Sequence, residues 1–258
     1  MLSIITPVYN GERFIESCIQ GVINQNCPDM EHIIVDGKST DNTIEIVQRY
    51  AHKYPHIRWI SESDKGQSDA INHGILMARG SILGVLNVDD FYQVNLLNRI
   101  IQVFRDLPNP SFVIGNCKIW DDDENLLYIN KPAHASFVSI FIDISQFPCN
   151  PSAYFYHSSL HKIVGMYDIE DQYTMDLDFV LRAFRVSNIE YTNEVFGNFR
   201  FIRGTKTFAA KMADKNDYHV QQVLAKYRQK LSWVDNLYIT AARMIKDFKY
   251  FALKLLKN

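Results

Sequence analysis

Paired cysteines are absent. The four thiols, Cys18, Cys27, Cys117 and Cys149, are scattered, with no C-x-x-C spacing among them, so neither a zinc ribbon nor a secreted disulfide framework is expected. Proline is sparse, at 8 in 258 residues, and charged residues make up only 22%, which excludes a collagenous or disordered chain. There is no excess of one charge sign either. The 27 basic and 29 acidic residues leave a formal net charge of -2, which provides no field for bulk nucleic-acid binding. No apolar run approaches the roughly 20 residues of a membrane span. The first seven residues lack the basic start and apolar stretch of a secretory leader. The expectation is a soluble protein of a reducing compartment. Hydrophobic residues make up 47% of the chain, and the length suits one large domain or two small ones with a core of their own.

Short apolar runs at residues 2–6, 32–35, 57–61 and 82–86 alternate with stretches of helical spacing. Ile15, Cys18, Ile19, Val22 and Ile23 form the first such stretch. Ile44, Val47 and Tyr50 form the second, behind the cap-rich Ser39-Thr40-Asp41-Asn42-Thr43. Residues 70–79, ended by Gly80, form the third. Strands alternating with helices of this length indicate βαβ units and a mostly parallel sheet. Ligands of such sheets bind at the carboxyl ends of the strands. The polar residues after each run are Tyr9-Asn10, Asp36, Asp64-Lys65-Gly66 and Asp89-Asp90, and they are expected to converge on one edge. Shorter β-like pieces follow at 113–120, 126–130 and 153–156, then a helix opening near Asp176 and running to about Val186. The C-terminal part reads as helical and more basic.

Five segments recur in the order and spacing of a known family: Thr6-Pro7-Val8-Tyr9-Asn10, residues 35–43, Ser63-Asp64-Lys65-Gly66, Leu86-Asn87-Val88-Asp89-Asp90 and Asp176-Leu177-Asp178-Phe179-Val180-Leu181-Arg182. On these the chain resembles family 2 glycosyltransferases of the GT-A fold, of the type that builds bacterial surface polysaccharides. The resemblance covers residues 1–205. It implies an α/β, Rossmann-like, mostly parallel mixed sheet flanked by helices over 1–205, and a helical, basic amphipathic tail over 206–258.

The residues carry the matching chemistry. A departing nucleoside diphosphate builds charge that a hard divalent cation stabilises, and Mg²⁺ or Mn²⁺ prefers carboxylate oxygen. Asp89 is the expected metal ligand. Asn87 stands where the family has the first Asp of Asp-x-Asp, and Asp90 is expected to cap a helix beginning near Tyr92. The resemblance places Asp36 on the nucleotide base, where an acceptor-only carboxylate suits a uracil N–H, with Thr6 and Tyr9 completing the base pocket. Ser39, Thr40 and Asp41 read as helix caps. Asp64, Lys65 and Gly66 would set a cation and a flexible backbone beside the diphosphate. Asp176 is the expected base that takes the acceptor hydroxyl's proton, with Met175 at the position of the family's Glu and Arg182 as a structural partner of the helix acids. Arg203 or Lys206 lies where the family has a loop over the diphosphate.

Three look-alikes are set aside. Asp121-Asp122-Asp123-Glu124 reads as a hairpin turn. His157 and His161 have zinc-like spacing but no H-E-x-x-H pattern and no third ligand. Gln229-Lys230-Leu231-Ser232-Trp233 only echoes the processive-synthase signature, with Ser232 in place of Arg.

In the tail, Leu237, Ala241, Met244, Ile245, Phe248, Phe251, Ala252 and Leu255 share one helical face, opposite Arg243, Lys246, Lys249, Lys254 and Lys257. Such a helix suits an anionic membrane surface, the chain's own domain or a partner subunit. The functional expectation is a cytoplasmic, metal-dependent inverting transferase, placed peripherally at the inner face of the membrane if the tail docks there. It would move one sugar from a nucleotide sugar, UDP-linked by preference, to a glycan or lipid-linked acceptor. A sugar-nucleotide pyrophosphorylase and a non-catalytic nucleotide-sugar-binding or membrane-docking subunit are the alternatives. The first would need a Gly-rich basic loop that residues 7–13 do not supply.

Overall fold

The computed structural model describes residues 1–171, 173–205, 208 and 215–255. Strands β1 (Leu2–Val8) and β2 (Met30–Asp36) are buried along their whole length, as parallel strands covered on both faces must be. They pair in parallel, from Leu2 opposite Met30 to Val8 opposite Asp36. On the outer side of β2 lies β3 (Ile57–Ser61), also parallel, with Asp36 opposite Ser61. Beyond β1 lies parallel β4 (Ile82–Val85). The crossovers are α1 (Ile15–Ile23), α2 (Thr43–Lys53) and α3 (Gln67–Met77). Their registers bring Val8, Asp36, Ser61 and Val85 out at one edge.

The rest of the sheet is mixed. A short β5 (Phe91–Tyr92) precedes α4 (Leu96–Phe104), followed by the long β6 (Ser111–Trp120), β7 (Leu126–Asn130), α5 (Phe137–Ile142), β8 (Tyr154–His157), α6 (Leu160–Val164), α7 (Met175–Phe184) and β9 (Asn188–Arg200). The nine-stranded order is β3-β2-β1-β4-β8-β6-β9-β5, with β7 beside β6. Because β8 runs antiparallel to β4, with Ile82 opposite His157, its first residue, Tyr154, emerges at the edge where β4 ends. One expectation changes here, and two elements appear where the sequence pattern assigned none. No helix begins at Tyr92, since Phe91–Tyr92 pairs with β9 instead. Residues 188–200, to which the sequence pattern assigns no element, form the longest strand, because β6 supplies its partner in parallel. The segment 137–142 is a helix, opened by a capping box between Ser136 and Ser139.

Two further helices, α8 (Lys215–Arg228) and α9 (Trp233–Leu255), close the described chain. Leu224, Tyr227 and Ile239 belong to the same buried cluster as Phe112, Tyr154 and Phe179, so these helices share the core of the domain. Arg182 of α7 binds Asp178 at 2.7 Å and the carbonyls of Val164 and Met166. The Tyr227 hydroxyl donates to Asp178 at 2.8 Å. This network ties α7 to α6 and α8 and bears out the structural reading of Arg182. The apolar face of α9 does not pack on the domain. Ile239 is buried and Lys246 pairs with Asp143 at 2.8 Å, while Leu237, Met244, Phe248 and Phe251 point outward and are exposed. Among the described residues no helix is long and apolar enough to cross a membrane.

Candidate active site

A cleft of about 460 Å³ opens at the carboxyl edge, lined by Pro7, Tyr9, Asp64, Gln67, Asn87 and Asp89 among others. The Tyr9 ring is 64% exposed on its wall and available to stack on a planar base. Thr6 is not in the cleft. Alternation along β1 turns its side chain into the core, where its hydroxyl lies 2.9 Å from Nε2 of His32, fully buried. That corrects the expectation of a base contact from its side chain. Burial drives the His32 imidazole down to about 3, so the Thr6–His32 pair is a neutral core bond.

Asp36 comes out at the edge but is itself buried. Its carboxylate accepts from the Ser39 amide at 3.0 Å, from the Ser39 hydroxyl and from the Ser61 hydroxyl at 2.7 Å. It therefore pins the β2–α2 loop to β3. Of Ser39, Thr40 and Asp41, Asp41 caps α2 as expected, its Oδ1 accepting from the Thr43 amide at 3.0 Å. Asn42, next to the helix, makes no side-chain cap bond, and Ser39 and Thr40 bond elsewhere. They lace that loop to the one after β1. The amide of Asn10 donates to the Ser39 hydroxyl at 2.7 Å, that of Thr40 to Oδ1 of Asn10 at 2.9 Å and that of Glu12 to Asp41 at 3.1 Å.

Asp64 accepts from the Gly66 amide at 2.8 Å, and burial raises its carboxyl above the usual range. Gly37 makes room for it: a Cβ there would lie 2.6 Å from Oδ2 of Asp64. Gly66 has φ +116°, which glycine adopts freely, and its carbonyl accepts from the Asp69 and Ala70 amides as α3 begins. The Lys65 amide donates to Asp69.

The 87–90 segment divides its labour. Asn87 is held by Gln67 at 2.8 Å and donates to Asp90 at 3.0 Å. Asp90 also accepts from the Asn150 side chain at 2.8 Å and from the Arg200 amide at 3.0 Å. It is buried, and burial together with the Asp89 charge pushes its carboxyl well above the ordinary range. Asp90 thus fastens β5, β9 and the turn before β8 around the motif and caps no helix. Asp89 is the half-buried carboxylate on the cleft, its acidity weakened by desolvation. Arg200, which sequence reasoning missed as a site residue, donates to the Asp89 carbonyl at 2.9 Å and lies 4.6 Å over the Phe91 ring. Nothing local marks Arg200 or Asn150, because their partner stands 110 and 60 residues away. Among the described residues, no three His, Cys, Asp or Glu side chains cluster to hold a metal unaided. One carboxylate beside a diphosphate nevertheless fits Mg²⁺ or Mn²⁺, which take the substrate's phosphate oxygens as further ligands.

Arg203 stands elsewhere. Its side chain is exposed and pairs with Asp122 at 3.3 Å, and its amide also donates to that carboxylate. Lys206 lies outside the described residues. The look-alikes resolve as expected. Asp121 accepts from the amides of Asp123 and Asn125 in the β6–β7 hairpin. His157 accepts from the Ser111 amide, and His161 lies between the Gly165 carbonyl and the Tyr156 hydroxyl.

Asp176 is the second residue of α7. That helix is tied to the cleft floor through α3: Gln67 holds Asn87, and the hydroxyl of the next residue, Ser68, lies 3.1 Å from the Asp171 carbonyl and 2.7 Å from the Met175 sulfur, sharing its one proton between them. Met175 is thus a core contact. The Asp176 carboxylate accepts from the Tyr154 hydroxyl at 3.3 Å. Burial, with a smaller push from Asp171, raises its carboxyl to about 6, in the range of a working general base.

A parallel four-strand half joined to a mixed half, with a cleft at the carboxyl edge lined by Asp64 and Asp89, defines a GT-A-type α/β domain. The chain belongs to glycosyl transferase family 2, whose profile matches residues 3–162. It is 30% identical over 201 residues to an uncharacterised glycosyltransferase of Rickettsia prowazekii, covering 76% of this chain and 62% of the relative. It is 26% identical over 227 residues to the chondroitin synthase of Escherichia coli, covering 86% of this chain and 32% of that one. A PGL/p-HBAD biosynthesis glycosyltransferase of Mycobacterium bovis is 28% identical over 71% of this chain and 70% of its own. This chain therefore spans less than two thirds of several relatives. In fold it is similar to S. aureus TarS 1–349, solved with UDP-GlcNAc (TM-score 0.72, 18% identity, 96% of this chain and 73% of that one). It is also similar to the mannosyltransferase PcManGT of Pyrobaculum calidifontis, solved with GDP-Man and Mn²⁺ (TM-score 0.67, 18% identity, 93% and 68%).

Proposed function

We propose that the protein is an inverting glycosyltransferase that moves a single sugar from a nucleotide sugar, with UDP as the preferred carrier, to a hydroxyl of a glycan or lipid-linked acceptor in surface-polysaccharide synthesis. The observation that carries this reading is Asp176. It is a half-buried carboxylate with a raised proton affinity, at the start of a helix that docks on the floor of a nucleotide-sized cleft. In this reading Tyr9 stacks on the base, and Asp36 supports the pocket through the Ser39 loop it pins. Asp64, Lys65 and Gly66 lie along the diphosphate, and Asn87 orients the turn. Arg203 would reach phosphate only by leaving Asp122. Asp89 would hold Mn²⁺ or Mg²⁺, which when bound offsets the charge of the departing diphosphate. Asp176 takes the proton of the acceptor hydroxyl as that oxygen attacks the anomeric carbon from the face opposite the leaving group.

Residues 1–205 carry this chemistry, and the helices α8 and α9 lie in the tail, 206–258. Its outward apolar stripe, flanked by Lys249, would lie on the anionic inner face of the membrane, where a lipid-linked acceptor is found. The likeness to a chondroitin synthase and to a PGL/p-HBAD biosynthesis glycosyltransferase supports a glycan-building reaction. The deciding experiment compares Asp176→Asn with the wild type for transfer and for donor affinity. Loss of about 10²–10⁴-fold in kcat, with donor binding retained, is expected of a general base. Normal turnover would refute the assignment.

A further inference from the structure

Behind Asp176 lies a buried group of hydroxyls that the reaction as described does not use. Tyr154 and Tyr156 on β8, and Tyr167 before α7, are all at most 3% exposed. Their neighbours in the same cluster, Phe112 and Phe179, fill comparable space without a polar atom. A buried hydroxyl costs stability unless it finds a partner, so three converging here call for an account.

The proton directions can be read from one end. Nδ1 of His161 lies 3.0 Å from the Gly165 carbonyl, an acceptor only, so that nitrogen carries the hydrogen. Burial holds the ring neutral, down to about 4. Nε2 is then an acceptor, and the Tyr156 hydroxyl at 3.1 Å must donate to it. The Tyr156 proton is therefore committed away from Asp176. At the other end the Tyr154 hydroxyl is 3.3 Å from Oδ1 of Asp176, and an ionised carboxylate can only accept. The titratable groups around that carboxylate are Tyr154 and Tyr156 from β8, with Tyr167 and Asp171 from the segment before α7. His161 of α6 stands behind Tyr156. Asp171 repels the charged form, and among the described residues Tyr154 is the side chain that donates to it.

We propose that Tyr154 is a positioning residue for the transfer reaction: its hydroxyl fixes Oδ1 of Asp176, leaving Oδ2 turned to the acceptor hydroxyl with the carboxylate in its proton-accepting state. The proposal rests on the reading of Asp176 as the base. Losing the donor makes the carboxylate harder to ionise, so the acid limb of activity moves to higher pH.

The test is the pH profile of kcat for Tyr154→Phe, with Tyr156→Phe as the control. In Tyr154→Phe the acid limb should rise by about one pH unit. The rate would then fall about tenfold below the limb, converge with wild type at high pH, and leave the donor KM unchanged. Tyr156→Phe should leave the limb in place. A limb that superimposes on wild type, or one that moves equally in both variants, overturns the proposal. If Tyr154→Phe does not fold, the ¹³Cζ resonance of Tyr154 in the wild type decides. It should titrate with the midpoint of Asp176, and a flat resonance overturns the proposal. A dead Asp176→Asn with an unmoved Tyr154→Phe limb refutes the positioning role alone. An active Asp176→Asn refutes the base itself.

Discussion

Asp176 shows how a single carboxyl can be held against the stability of the fold. In an unfolded chain an aspartate titrates near 4, while here burial raises it to about 6. The folded state thus binds the proton more tightly, so the group's contribution to stability is full below about pH 4 and is lost as pH rises through 6. Asn carries no such loss. Asp176→Asn should melt higher than wild type at pH 8, by about 1–2 kcal/mol after allowing for partial solvent screening, and should show no gain at pH 4. Thermal unfolding at the two pH values checks this, and an unchanged difference between them would contradict the burial argument. Asp89 makes the opposite kind of prediction. It faces the cleft, whereas Asp90 is held by Asn87, Asn150 and the Arg200 amide. Asp89→Ala should therefore keep the fold and lose Mn²⁺-dependent UDP binding, while Asp90→Ala should lose stability, by about 1–3 kcal/mol for the donors left unsatisfied. Calorimetric titration with UDP and Mn²⁺, beside a melt, separates the two.

At the scale of elements, the site depends on loops locked to one another more than on helix caps. The start of α3 is set by Gly66 at φ +116°, a region closed to side chains. Gly66→Ala should cost about 1–3 kcal/mol and weaken donor affinity, because the amide of residue 66 would leave Asp64; urea midpoints and UDP titration measure both. The helix α9 uses one side for the domain, through Ile239, and turns Phe248, 73% exposed, the other way. Phe248→Glu should accordingly leave nucleotide-sugar hydrolysis unchanged and lower co-sedimentation with vesicles containing anionic lipid. Equal sedimentation of both proteins would remove the membrane from the proposal.

For the molecule as a whole, the helices α8 and α9 and the α/β part share one core. Cutting the chain after residue 205 would remove Leu224, Tyr227 and Ile239 from the cluster built on Phe112 and Phe179. Each such side chain contributes about 1.5–3 kcal/mol. The shortened chain should unfold at a much lower urea concentration than the full one, by roughly 5 kcal/mol in stability. An unchanged midpoint would show that 1–205 stands alone. The same packing explains why the Asp178–Arg182–Tyr227 network sits where it does: it anchors the helix that carries Asp176 from both sides.

The sequence by itself determined the parallel half of the sheet, because β1, β2 and β4 are mostly apolar runs buried on both faces and ended by a polar turn. The half-buried edge strand β3 repeats the short apolar pattern around Arg58. It likewise determined the shared edge for Tyr9, Asp36, Asp64 and Asp89, since parallel βαβ connections put every strand end on one side. The helix of Asp176 was legible too, from its apolar spacing. Only the tertiary structure decided that Thr6 faces the core, that Asp90 is a clamp and that β9 is a strand at all. It also decided that the apolar stripe of α9 faces outward. These outcomes depend on partners distant along the chain, such as Arg200 and Asn150 for Asp90 and β6 for β9. A polar residue's role is fixed by which donors reach it once the backbone has closed, and local spacing carries no record of that.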